Sequence, residues 1–202
     1  MKIKTAIAMT LALAISVQAA DRVRVCVNSG ANTSSSVLVR AEAIASQMFA
    51  TAGVAIEWHS ANPAACRDPG ETRTVILDFD SGTPPEVHPG ALAYAKPYEA
   101  IHIVVLYDRI AKPNGTPNQV SALLAHVMAH EITHLLEGFA RHSETGVMKA
   151  HWDGGDLRRM EFKPLPFDLE DVYLIQDGLR VSAVGAMPGL SAATPATKTK
   201  LR

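Results

Sequence analysis

The residues of this sequence with the clearest capacity for chemistry are His130, Glu131 and His134. Two imidazoles four positions apart share one face of a helix, where both can reach a single metal ion. A carboxylate directly after the first of them lies beside that ion, placed to take a proton from water. The chemistry implied is hydrolysis, with Zn²⁺ between the histidines and Glu131 as general base. A blander reading fits the same five positions: a hydrogen-bonded histidine pair inside a core, with Glu131 in an ion pair.

The surrounding run, Val120 to Glu137, must carry these groups. No Asp, Glu, Lys or Arg occurs from Pro113 to His130, and apolar residues fall on more than one face. Such a helix is buried rather than surface-lying. Glu131 is its first formal charge, and an unpaired carboxylate there is costly. Gly138 suits a left-handed helix end. A third imidazole, His142, follows in the next turn, and Met148 sits beyond it in the tight segment Thr145 to Ala150.

Helix, glycine, third histidine and then a methionine turn is the order of the metzincin metalloproteases, which this stretch resembles. Arg141-His142-Ser143 and Val147-Met148 look most like the matrixin branch, and the chain is similar to a small group of secreted bacterial matrixin-like proteins. The resemblance covers about His130 to Ala150. It implies His130, His134 and His142 as zinc ligands, Glu131 as the base and Met148 as an apolar floor under the metal. The spacing departs from the family pattern, which puts glycine three and the last histidine six residues after the second helical histidine. Here Gly138 is four and His142 eight residues on. A loop absorbs two extra residues at small entropic cost. Glu161 is the alternative third ligand; Glu137 and Glu144 are poorer ones. Lys149 stands where some metzincins place a tyrosine ligand. His126, a turn before His130, suits a core or supporting role, and His151-Trp152 could line a cleft. His59, His88 and His102 show no ligand spacing.

The remaining elements follow from patterning. Met1 to Ala20 reads as a signal peptide, with Lys2 and Lys4 before an apolar stretch and Val17-Gln18-Ala19 as cleavage site. This predicts a secreted or periplasmic protein, with a catalytic domain over 21–180 and a flexible tail over 181–202. Arg22 to Val27, Val54 to Trp58 and Thr74 to Phe79 read as strands, with a helix begun by Ser34 or Ser35 and stopped by Gly53. Ala61 to Thr72 reads as a loop. Ile101 to Leu106 reads as a buried central strand, and Leu169 to Asp177 as a last helix, capped by Asp168 and stopped by Gly178. Cys26 and Cys66 are an even pair in an exported chain and predict a disulfide. A matrixin-style cysteine switch through Cys66 is the sharper but less supported alternative.

Gly90 to Ala95 suits a short edge strand. In matrixins a segment of similar texture pairs with the substrate backbone, so the resemblance implies that Leu92 and Ala93 do so here; an ordinary edge strand is the alternative. The fold class expected is α+β: one zincin-like domain with a small mixed twisted sheet, an edge strand over the cleft, a buried active-site helix and a C-terminal helix. The composition is 48% hydrophobic, enough for one core, and 19 basic against 20 acidic residues leave a net charge of −1. That balance gives no footprint for nucleic acid. No membrane insertion is expected, and the protein should be a monomer acting on a peptide or protein. A zinc-binding interaction module without turnover, and a hydrolase of a non-peptide amide, remain alternatives. Structural calcium is undecided, for no clear Asp-rich loop occurs.

Overall fold

The computed structural model describes residues 21–30, 32–60, 66, 73–80, 82, 90–95, 101–112 and 115–185. The signal-peptide reading, most of the 61–72 loop and residues 186–202 of the tail lie outside the described residues. The elements in chain order are β1 (Asp21–Asn28), α1 (Ser35–Thr51), β2 (Val54–Ser60), β3 (Arg73–Asp80), β4 (Ala93–Ala95) and β5 (His102–Leu106). They continue as α2 (Tyr107–Ile110), α3 (Pro117–Glu137), α4 (Gly154–Met160) and α5 (Leu169–Gly185). This is a mixed α/β domain with a five-stranded sheet in the order β2-β1-β3-β5-β4.

Parallel pairing dominates. β1 lies parallel to β2 and β3, and β3 parallel to β5, while β4 adds antiparallel to β5 at the edge. The parallel β1–α1–β2 unit needs a crossover, which α1 supplies. Strand alternation sends Val23, Val25 and Val27, then Val75, Leu77 and Phe79, into the core with Ile103 and Val105. Helices α1 and α3 pack against each other over this face. Cys26, one position out of phase with its valine neighbours, is bonded to Cys66 at a Cα separation of 6.0 Å.

Several boundaries differ from those the sequence suggests. Ile101 to Leu106 was expected at the centre of the sheet. The strand is buried but starts at His102 and lies one place in from the edge, because the three-residue β4 adds beyond it and β3 takes the middle. Gly178 does not stop the last helix, and α5 runs on to Gly185, into the stretch read as tail. The glycine is there for closeness: a Cβ on it would meet the Leu136 carbonyl oxygen at 1.9 Å. Ser34 begins α1 without a side-chain cap, its hydroxyl lying 3.1 Å from that of Ser36. The charged stretch after Trp152 holds a short helix, α4, capped by reciprocal bonds between Asp153 and Asp156.

Candidate metal centre

The central helix is set by its ends. Thr116 Oγ1 accepts a bond from the Gln119 amide while the Gln119 side-chain oxygen accepts one from the Thr116 amide, with Pro117 at the first helical position. At the other end Gly138 has φ 81° and its amide bonds the His134 carbonyl. Between them the helix is buried on nearly every side. His126 is wholly buried and engages both ring nitrogens: Nδ1 donates to the Ala122 carbonyl at 2.7 Å, and Nε2 accepts from the Leu165 amide at 2.9 Å. It is a core group that ties the 165 segment to α3, and burial lowers its pKa to about 4.

One turn on, the Nδ1 of His130 donates to the Val147 carbonyl at 3.0 Å. That bond fixes the tautomer and leaves Nε2 facing the cleft. The Nε2 atoms of His130 and His134 lie 3.0 Å apart. His142 completes the group, its ring centroid 5.3 Å from that of His130 and 5.0 Å from that of His134. One nitrogen from each of the three imidazoles lies within 4.8 Å of the others. Ligands about 2.0–2.1 Å from a tetrahedral zinc must stand roughly 3.4 Å apart, so this donor set fits the ion with small adjustments. Burial lowers the pKa of His130, and lowers that of His134 to about 4 with help from the His130 and His142 rings. Neutral imidazoles are the form that binds metal.

Glu131 lies in the same cleft, half-buried, and loss of solvent pushes its carboxyl up to about 7. The other carboxylates considered as ligands lie elsewhere. Glu161 bonds the Gln119 side chain at 3.1 Å, eleven residues before His130, which is roughly 16 Å along the helix axis. Glu137 is buried, and burial together with the nearby Asp171 pushes it up to about 7. No carboxylate joins the three-imidazole group among the described residues.

The floor of the site is the turn around Met148, which is fully buried. Gly146 has φ 74°, and a Cβ there would meet the Pro166 carbonyl oxygen at 2.2 Å. The Val147 amide bonds that same oxygen at 3.0 Å, and the Ser143 amide bonds the Met148 carbonyl at 2.8 Å. Trp152 stands edge-on to His130, with ring centroids 5.6 Å apart. The cleft in front of the imidazoles has a volume of about 420 Å³. Leu92 and Ala93 form one rim, where the Leu92 carbonyl accepts from the Leu106 amide at 2.9 Å and Ala93 pairs with Val105. Arg109 steadies that rim through a 2.6 Å bond to the Ala91 carbonyl. Val127 and Leu123 extend the cleft as an apolar wall along α3.

Two connections around the site escape a reading of the sequence. Arg109 and Ala91 are 18 residues apart, and Arg141 reaches Asp171 across 30. Only the Asp168-x-x-Asp171 capping spacing hinted that the start of α5 holds a fixed carboxylate.

The sheet, the central helix and the three converging imidazoles together make a mixed α/β domain with one side-chain cluster suited to a metal ion. No protein-family model matches the chain, and no curated protein matches it. Among solved structures it is similar to archaemetzincin from Methanopyrus kandleri, with a TM-score of 0.53 and 17% sequence identity. The match covers 81% of this chain and 99% of that one. At that identity the likeness is one of fold.

Proposed function

We propose that this protein is an exported zinc-dependent metallopeptidase of the metzincin type, with His130, His134 and His142 as the ligands and Glu131 as the general base. The observation that carries the reading is the convergence of three imidazoles on one point, with a carboxylate in the same cleft. A structural metal site closes with four protein ligands, whereas three leave a position open. The fold shared with archaemetzincin supports the class. The matrixin likeness rests on Arg141-His142-Ser143, on Val147-Met148 and, weakly, on the edge strand at Leu92 and Ala93. The Cys26–Cys66 disulfide supports an oxidising compartment, periplasmic or extracellular.

A bound Zn²⁺ supplies Lewis acidity, polarising a carbonyl and making water acidic near neutral pH. The Val147 carbonyl holds the His130 ring so that its free nitrogen faces the cleft. Glu131 takes a proton on its carboxylate and delivers it to the departing amine. Met148, Trp152 and Val127 keep the surroundings apolar, which strengthens each electrostatic contact inside. The edge strand offers the rim against which an extended peptide aligns at Leu92 and Ala93.

The test is zinc content and cleavage of denatured casein for wild type and Glu131→Gln. One zinc in each, with cleavage reduced at least a hundredfold in the variant, is the expected result. One zinc in both and no cleavage by either would favour a zinc-binding interaction module. Absence of zinc from both overturns the reading.

A further inference from the structure

We propose that Asp171, on the last helix, is the positioning residue that presets His142 as a metal ligand, acting through the two side chains that flank it. The inference rests on the zinc-site reading above. His142 lies in an exposed loop after Gly138, with no regular element to hold its ring. The residues on either side of it grip one oxygen: Arg141 Nη2 donates to Asp171 Oδ1 at 2.8 Å, and the Ser143 hydroxyl donates to the same atom at 2.5 Å. Arg141 Nη1 closes the triangle on the Ser143 hydroxyl at 3.2 Å.

The carboxylate at the centre is fixed as well as buried. Asp171 is 1% exposed, and its other oxygen accepts from the Asp168 amide at 3.0 Å while Asp168 caps the Asp171 amide at 2.8 Å. Capping α5 engages only Oδ2. Oδ1 serves the two neighbours of His142 and no other residue among those described. The Ser143 amide also bonds the Met148 carbonyl, so the loop is held from the helix on one side and from the floor of the site on the other. A ligand held in place before the metal arrives binds it more tightly than one that must be ordered on binding. The grip also steadies the segment before His142, through Arg141.

The test is zinc affinity, measured by competition with a chelating dye, for wild type, Asp171→Asn, His142→Ala and the double variant. Asp171→Asn should weaken zinc binding ten- to a hundredfold in the wild-type background. It should have little further effect once His142 is absent, and the visible spectrum of the cobalt-loaded single variant should move toward that of His142→Ala. Wild-type affinity and spectrum in Asp171→Asn, or an equal loss in both backgrounds, would overturn the inference while leaving the zinc site standing. Failure of the wild type to bind zinc would remove both. Should Asp171→Asn fail to fold, Ser143→Ala takes its place: it deletes one contact to Oδ1 and leaves the cap of α5 intact, and the same criteria apply.

Discussion

His126 and His130 are one turn apart on the same helix, and their bonding separates their roles. His130 spends one nitrogen on the Val147 carbonyl and keeps the other for the cleft, whereas His126 has both nitrogens engaged. Charging His126 would turn an acceptor into a donor facing the Leu165 amide. Its pKa is lowered to about 4, so the unfolded chain takes up this proton near pH 6.5 while the folded protein refuses it. The contribution of His126 is therefore complete above pH 6.5, falls by one proton's slope on acidification and levels off below about pH 4. The expected loss from this group is about 3 kcal/mol across that window. Imidazole NMR shifts should report a neutral Nδ1–H tautomer at pH 5.5; a charged ring there would refute the account. The His-Glu-x-x-His spacing was legible in the sequence because both histidines belong to one helix. The partners that distinguish a ligand from a core histidine, Val147 and Leu165, come from other segments and were not.

At the scale of elements, the contact of α5 with α3 turns on Gly178. Glycine inside a helix is ordinarily a weakness, and replacing it with alanine stabilises by up to about 1 kcal/mol. Here the added methyl would overlap the Leu136 carbonyl, so the sign reverses. Gly178→Ala should destabilise the protein by about 3 kcal/mol, read from the urea midpoint, and a neutral or stabilised variant would mean that the helices lie farther apart. The same residue shows why the end of α5 was misread. A glycine that stops a helix and one that lets another backbone approach look identical in sequence, and only the partner element decides. The strands were easier, since Val23, Val25 and Val27 alternate openly. The helix α4, seven residues long, is too short for periodicity, although Asp153 and Asp156 carried its capping signal.

For the whole molecule, the disulfide and the metal centre stabilise different parts. Cys26 and Cys66 close a loop of 40 residues, for which the chain-entropy account gives about 4 kcal/mol. Reduction by dithiothreitol, followed by alkylation, should lower the unfolding free energy, read from urea titration, by that amount. Zinc affinity should stay unchanged below the transition, because the ligands come from α3 and the loop after it; a parallel loss would show that the two are coupled. The chain is made from its N-terminus, and that direction gives the seam at Asp171 a temporal meaning. The strands β1 to β5 and the cysteine pair can be in place while the last helix is still unmade. On the proposal above, His142 gains its tie to Asp171 only when that helix docks. A chain threaded only as far as Met148 would then carry all three histidines and bind zinc more weakly than the finished protein.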